Sequence, residues 1–326
     1  MEDVRDLDHS TNNSNNENLR SYVPFPLEME NCACPICHSN ESSILLRFDA
    51  FGFPTHTVEC LKCGCVYVNP RPTRPYMDRF YKNWFRFFYE GHRRIDEKYI
   101  RAKHWRESDA ARVARYANYL PSRSRFLDIG CGAGFFAAYV KAQIPHSTVV
   151  GIEPDPMMAK YCREKLNLEV HEEFFETFPK REKYSAITAF HVIEHLFDLG
   201  GLFQFLRDHL EPDGVAIFET PNVDGSWTGI GMFHIAHLYT FSPRTLRTLF
   251  HTNGFEVVDA GALENDLDCS NLYLIVRMAR ETANPILSRD LDESARIEAK
   301  CRSLSKFRGL RIVRNWAKIA SFGLRM

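Results

Sequence analysis

The chain has no surplus of either charge. Its 41 Lys and Arg stand against 42 Asp and Glu over 326 residues, a formal net charge of −1. No overall field draws it to phosphates, and nucleic acid is not expected as a partner. It contains no apolar run near the roughly 20 residues that a membrane span needs, which excludes a transmembrane helix. Its start, Met1 to Asp6, lacks the basic opening and apolar stretch of a secretory signal. A reducing, cytoplasmic location is therefore expected. No internal repeat is visible. Residues 1–27 include a run rich in Asn and Ser from Ser10 to Asn18, too polar to offset the entropy of ordering, so a disordered tail is expected there.

Against these absences stands a concentration of cysteine. Six of the ten cysteines fall between Cys32 and Cys65. In a reducing compartment such crowding points to a metal rather than to disulfides. Cys34 and Cys37 form one C-x-x-C knuckle, and Cys60 and Cys63 form a second. The stretch between them has β character at 44–48 and 53–59. Two knuckles bracketing a hairpin can place four thiolates tetrahedrally around Zn²⁺, the layout of a zinc ribbon. Four thiolates leave no open coordination position, so a structural role is expected. Cys32 and Cys65 flank the knuckles and leave the register open.

The most informative segment is Phe126 to Phe135, FLDIGCGAGF. It reads as a buried strand, a glycine turn and the start of a helix. A second strand at 148–152 ends in Glu153, nineteen residues past Gly134. A glycine turn answered by a later acid is how an α/β sheet holds an adenosine-containing ligand, the acid accepting from ribose hydroxyls. The turn is Asp128-x-Gly130-x-Gly132-x-Gly134, not the G-x-G-x-x-G that faces a diphosphate. A carboxylate at Asp128 would repel phosphate and suit an ammonium group. S-adenosylmethionine carries an ammonium, a sulfonium and a ribose, and no phosphate.

On these residues the chain resembles the class I S-adenosylmethionine-dependent methyltransferases. The knuckle pair and the exit Asn69-Pro70-Arg71-Pro72 are similar to the zinc-binding N-terminal domain that precedes some of those enzymes, which act on nucleotide-linked sugars and related small molecules. The resemblance covers about 28–90 and 120–280. It implies an α/β fold: a Rossmann-like seven-stranded methyltransferase sheet with a small N-terminal zinc-ribbon domain. The cofactor site it implies comprises Asp128, Gly130, Gly132 and Gly134 on the methionine side, Glu153 and Pro154 at the ribose, Phe174 near the adenine, and His191 beside the methionine part. The segment Phe190 to Leu196 also resembles an E-x-x-E-H stretch associated with a divalent ion in quinone-pathway O-methyltransferases. Here His191 replaces the first Glu, and His191, Glu194 and His195 are left either as a metal set or as packing and hydrogen-bonding groups.

The acceptor side is sought after the fifth strand. His234 to Ser242 resembles the E-H-L-x-Y-F-S motif of sugar C-methyltransferases, with Ala236 in place of Glu. His237 is the candidate base, since a neutral imidazole of pKa near ~6.5 can take a proton at neutral pH. Tyr239, His234, Asn222 and Trp227 are further candidates for the pocket. The expected reaction is methyl transfer to a hydroxyl of a sugar, glycan or nucleotide-linked sugar. C-methylation of a nucleotide-linked sugar, RNA modification and cofactor binding without catalysis stand as alternatives.

The expected organisation is a tail over 1–27, a zinc ribbon over 28–72, a helical linker or lid over 73–120, a methyltransferase domain over 121–280 and a basic amphipathic tail over 281–326. In the linker, Ile100, Trp105, Val113, Tyr116 and Leu120 fall at helical spacing before Pro121. The aromatic stretch from Phe80 to Tyr89 could serve as a substrate lid or as packing between domains. Strands are expected at 125–129, 148–152, 168–171, 184–190, 214–220, 255–261 and 271–277, and helices at 134–143, 156–166, 198–210 and 243–253. From Arg302 onward the tail has seven Lys and Arg and no acid. It suits packing on the body or on a second subunit, or an anionic membrane surface.

Overall fold

The structure, a computed structural model, describes residues 28–81, 85, 99, 109–144, 146–179, 182–225, 229–263, 270–281 and 287–306. The tail expected over 1–27, most of the linker, Trp227 and the basic residues beyond 306 lie outside the described residues.

The cysteine module opens with β1 (Met29–Glu30), β2 (Ser42–Leu46), β3 (Thr57–Cys60), β4 (Val66–Val68) and β5 (Arg71–Pro72), followed by helix α1 (Arg74–Phe80). Thr73 caps α1 by accepting from Tyr76 N, and Pro75 sits in its first turn. β2, β3 and β4 form an antiparallel meander. The β character expected at 53–59 narrows to Thr57–Cys60. Upstream of it the chain folds around Asp49, whose Oδ1 accepts from Phe51 N at 2.8 Å and Phe53 N at 2.9 Å. Those N–H groups therefore bond the side chain rather than a ladder partner.

The linker is described in its last part, where α2 (Asp109–Tyr116) runs into a 3-10 turn over Ala117–Tyr119. Then the α/β alternation begins: β6 (Arg125–Ile129), α3 (Phe135–Gln143), β7 (Thr148–Ile152), α4 (Pro156–Lys165), β8 (Glu169–His171), β9 (Tyr184–Phe190), α5 (Leu199–His209), β10 (Leu210–Pro221), β11 (Tyr239–Thr240), α6 (Pro243–Thr252), β12 (Phe255–Leu263), β13 (Asn271–Met278) and α7 (Leu291–Lys306). Seven strands make one sheet in the order β12-β13-β10-β9-β6-β7-β8. The five from β10 to β8 are parallel, while β13 and β12 return antiparallel at one edge. The parallel strands are nearly continuous apolar runs because helices cover both faces. Leu127, Ile187, Ala216 and Phe218 are fully buried.

The two halves share structure. β11 pairs antiparallel with β4, with Tyr239 opposite Tyr67 and Thr240 opposite Val66, giving a four-stranded sheet β11-β4-β3-β2. One apolar core contains Cys34, Val58 and Tyr67 of the cysteine module together with Leu238, Phe241 and Leu246. The described part of the C-terminal tail, α7, packs on the body: Ile297 and Cys301 join Leu46, Val66, Met232 and Phe233. Polar bonds hold it too, with Arg289 donating to Glu59 at 2.6 Å and Arg244 to Glu293 at 2.6 Å. No helix among the described residues is long and apolar enough to cross a membrane.

Candidate active site

The expected glycine turn lies at the carboxyl end of β6, where open α/β sheets bind ligands. Gly130, Gly132 and Gly134 all have positive φ, +65°, +54° and +75°. Their surroundings differ. A Cβ on Gly130 would come within 2.7 Å of Val192, and one on Gly134 within 2.7 Å of Cys162. Around Gly132 a Cβ would meet nothing within 4 Å among the described residues. Gly130 and Gly134 thus permit close packing within the protein, while Gly132 faces open space. Glu153, at the end of β7, is 8% exposed. Its Oε2 accepts from Gly132 N at 2.8 Å and its Oε1 from Asp155 N at 2.9 Å. These two bonds orient the carboxylate at the mouth of the turn, and a carboxylate is an acceptor-only group of the kind that ribose hydroxyls donate to. Asp128 is buried behind the turn and fixed by Thr188 Oγ1 at 2.7 Å. Pro154 is exposed beside Glu153. Of the two phenylalanines past β8, Phe175 is core and Phe174 stands 41% exposed, with the Arg74 guanidinium 5.8 Å from its ring centroid.

The segment after β9 ties this turn to the second half of the site. His191 takes φ +55°, rare outside glycine, and donates its N–H to Glu219 O at 2.8 Å. Its Nδ1 lies 3.4 Å from Glu194 Oε1. Glu194 and His195 occupy a 3-10 turn over Ile193–His195. Glu194 is 1% exposed. Its Oε2 accepts from Thr220 at 3.1 Å, while its Oε1 faces the His191 imidazole and, among the described residues, accepts no well-formed hydrogen bond. Burial opposes its charge, but His191 and His195 outweigh burial and hold the carboxyl below its ordinary range. On His191, burial pulls downward and Glu194 prevails, so that imidazole is raised.

His234 and His237 close on this turn. Their ring centroids lie 3.7 Å apart, and His195 lies 4.6 Å from His237 and 6.1 Å from His234. The hydrogen bonds assign tautomers. His237 Nδ1 donates to Met232 O at 2.8 Å, which leaves Nε2 with the lone pair. His234 Nδ1 accepts from Ala236 N at 3.2 Å. His195 Nδ1 lies 2.9 Å from both Ala236 O and the Tyr81 hydroxyl. Burial first, and then neighbouring imidazoles, hold His234 and His237 well below the ordinary histidine range. Burial first, and then His191, lowers His195 against the pull of Glu194 and the Ala236 carbonyl. All three are neutral at pH 7.

Ligating atoms of Glu194, His195 and His237 lie within 4.8 Å of one another. His191 is outside that group, so the set read along one segment, His191, Glu194 and His195, gives way to one drawn from two loops. Sequence spacing carried no sign of it, because His195 and His237 are 42 positions apart. Ala236 is fully buried among Phe53, Tyr76, Met77 and Phe80, so the Glu of the C-methyltransferase motif would fall here in an apolar cluster. Ser242 caps α6 through a reciprocal box with Thr245, and Pro243 opens the helix.

The four knuckle sulfurs, those of Cys34, Cys37, Cys60 and Cys63, also lie within 4.8 Å of one another. Cys34 and Cys63 are 3.4 Å apart, as are Cys37 and Cys60, close to the roughly 3.8 Å edge of a tetrahedron with 2.3 Å Zn–S bonds. Hydrogen bonds from Cys60, Cys63 and Cys65 hold the Cys34 thiol far below its usual range, while sharing with Cys34 pushes Cys60 up to about 11. Such a cluster ionises fully only around a cation, and the donor set fits zinc. Cys32 instead bonds Val68 O and Asn69, and Cys65 bonds Val66 O. Of the six cysteines in this module, the four of the two C-x-x-C knuckles are the ones whose sulfurs group together.

The strand order and the glycine turn define the class I S-adenosylmethionine-dependent methyltransferase fold. A family model described as a methyltransferase domain matches residues 98–260, half of the chain, and the chain belongs to that family. Over 107 residues it is 32% identical to a malonyl-[acyl-carrier protein] O-methyltransferase of Acetivibrio thermocellus, covering 31% of this chain and 38% of that protein. Over 110 residues it is 32% identical to a ubiquinone biosynthesis O-methyltransferase of Actinobacillus pleuropneumoniae, covering 30% and 46%. The matches thus span less than half the length of these two relatives. The solved structure of the Burkholderia thailandensis 1,6-didemethyltoxoflavin-N1-methyltransferase shares the fold, with TM-score 0.50 and 17% identity over 66% of this chain and 95% of that one.

Proposed function

We propose that the chain transfers a methyl group from S-adenosylmethionine to a small polar acceptor, foremost a hydroxyl of a sugar, glycan or nucleotide-linked sugar. The observation that carries this is the convergence, at the carboxyl ends of the central parallel strands, of an acid-braced glycine turn with a cluster of neutral imidazoles. The sulfonium supplies an already activated methyl, so the protein's work is alignment, dryness and removal of one proton. Gly132 leaves room for the methionine part, Glu153 accepts from the ribose, and Phe174 offers its face to the adenine. His191 borders the methionine side. His237 Nε2, with its lone pair fixed by the bond at Nδ1, takes the acceptor's proton. The apolar surroundings of Ala236 favour oxygen over carbon as the methylated atom. The knuckles hold zinc as a structural ion.

The test is calorimetry with S-adenosylmethionine, followed by turnover on a panel of hydroxyl-bearing sugars and nucleotide-sugars. His237→Ala should bind the cofactor as the wild type does and lose roughly 10²-fold in turnover. Absence of binding heat, or full turnover in the variant, refutes the assignment. The convergence of Glu194, His195 and His237 favours one second reading, in which a divalent ion polarises the acceptor oxygen and His237 is its ligand. Turnover that rises with added Mn²⁺ in the wild type but not in Glu194→Gln would decide for the ion.

A further inference from the structure

Asp49 belongs to the cysteine module, in the loop between β2 and β3, yet it binds the loop that carries the histidines. Its Oδ2 accepts from Ile235 N at 3.0 Å. Beside it Ala50 N donates to Phe233 O at 2.8 Å. Its other oxygen is taken by Phe51 N and Phe53 N. The carboxyl is 3% exposed, and among the described residues no basic side chain pairs with it. A buried, unpaired acid is an expensive way to hold a loop together. What it provides here is acceptors on both sides, facing two different segments. The held segment then sets the cluster: Ala236 O bonds His195 Nδ1, Ala236 N bonds His234 Nδ1, and His237 N donates to His234 O.

We propose that Asp49 is a positioning residue for the imidazole cluster, acting through Ile235 to fix the tautomers and spacing of His195, His234 and His237. The effect on turnover rests on the methyltransferase reading; the effect on the imidazoles does not. The cysteine module is then a working wall of the acceptor pocket. An amide is the sharpest perturbation. Asn carries one acceptor and one donor end, so it can satisfy Phe51 and Phe53 or Ile235, but not both. Burial, opposed by these N–H groups, pushes the Asp49 carboxyl up to about 7. Of the titratable groups around it, Tyr76 of α1 is itself raised by burial and stays neutral, and His234 and His237 on the held loop are neutral above their depressed ranges. As pH falls through about 7, Asp49 gains a proton and one oxygen stops accepting.

The experiment is ¹⁵N-histidine NMR with steady-state kinetics on the full chain, wild type and Asp49→Asn. The expected result is unchanged affinity for S-adenosylmethionine, about tenfold lower kcat, as one misplaced acid–base group gives, and shifted imidazole signals for His195 and His237. In the wild type these signals and kcat should share an inflection near pH 7, above the histidines' own, that is absent in the variant. Unchanged imidazole signals in Asp49→Asn overturn the proposal. Should the variant fail to fold, the wild-type pH titration decides, and a flat imidazole response around pH 7 overturns it equally. Shifted signals with no turnover in either protein would support the positioning role and defeat the methyltransferase reading instead.

Discussion

Two alanine substitutions two residues apart should fail in different ways. Gly132 and Gly134 both hold left-handed backbone, and an alanine at either carries a cost of about 1–2 kcal/mol. At 134 the new methyl also meets Cys162 Sγ at 2.7 Å, Leu168 Cδ1 at 3.0 Å and Leu166 Cδ1 at 3.3 Å. Cys162 and Leu168 are buried and cannot swing into solvent. Overpacking of this kind adds roughly 1–3 kcal/mol. The sum, on the order of 2–5 kcal/mol, lowers the melting temperature by about 10 °C in a domain of this size. At 132 no atom of the described residues lies in the way. Gly132→Ala should therefore melt within a few degrees of wild type, while its methyl occupies space assigned to the cofactor and weakens binding at least tenfold, about 1.4 kcal/mol. Circular dichroism melts and calorimetry with S-adenosylhomocysteine read the two quantities separately. Equal melting of the two variants, or wild-type affinity in Gly132→Ala, refutes the division of labour within the turn.

Two further outcomes follow from buried charge. Glu219 accepts from Arg112 at 2.7 Å, Arg115 at 3.2 Å and the Tyr116 hydroxyl at 2.6 Å. Burial works against its ionised form, but Arg112 wins and holds the carboxyl below its ordinary value. Its contribution is thus complete above the unfolded value of about 4.3 and disappears as pH falls through the lower folded value. Glu219→Gln should cost about 3 kcal/mol at pH 7 and progressively less in acid, as read by urea unfolding; a pH-independent difference would contradict this. Cys34→Ser should abolish one bound zinc per chain, measured by elemental analysis after purification; retained metal would mean that the knuckle sulfurs are not the ligands.

The sheet was legible because buried parallel strands are short apolar runs bounded by glycine turns, and the strand limits agree with expectation within a few residues, as at Arg125–Ile129 and Tyr184–Phe190. β10 runs longer than expected, starting at Leu210, because its first residue already pairs with Tyr184. The cysteine knuckles were legible for a similar reason, since ligand spacing is local. What escaped is non-local. Tyr239 and Thr240 form only two residues of strand, and their partner β4 lies far back in the chain. Asp49 looked like an ordinary loop acid, and only the fold brings Ile235 to it. The imidazole cluster depends on the same long-range contact. His237 was visible through its motif, whereas Glu194 and His195 gained their place in the cluster from Leu238 N bonding Glu194 O at 2.8 Å.

The pairing of β11 with β4 has a bearing on how the molecule is made. The cysteine knuckles leave the ribosome early, but the fourth strand of their sheet does not exist until Thr240 has been synthesised. Until then the Val66–Val68 edge is bare backbone, open to any other chain that offers a strand. A shortened version that starts at the α/β half would create the opposite orphan, leaving Tyr239 and Thr240 without a ladder. Dissecting this protein into independently expressed halves should therefore give two sticky fragments rather than two clean ones.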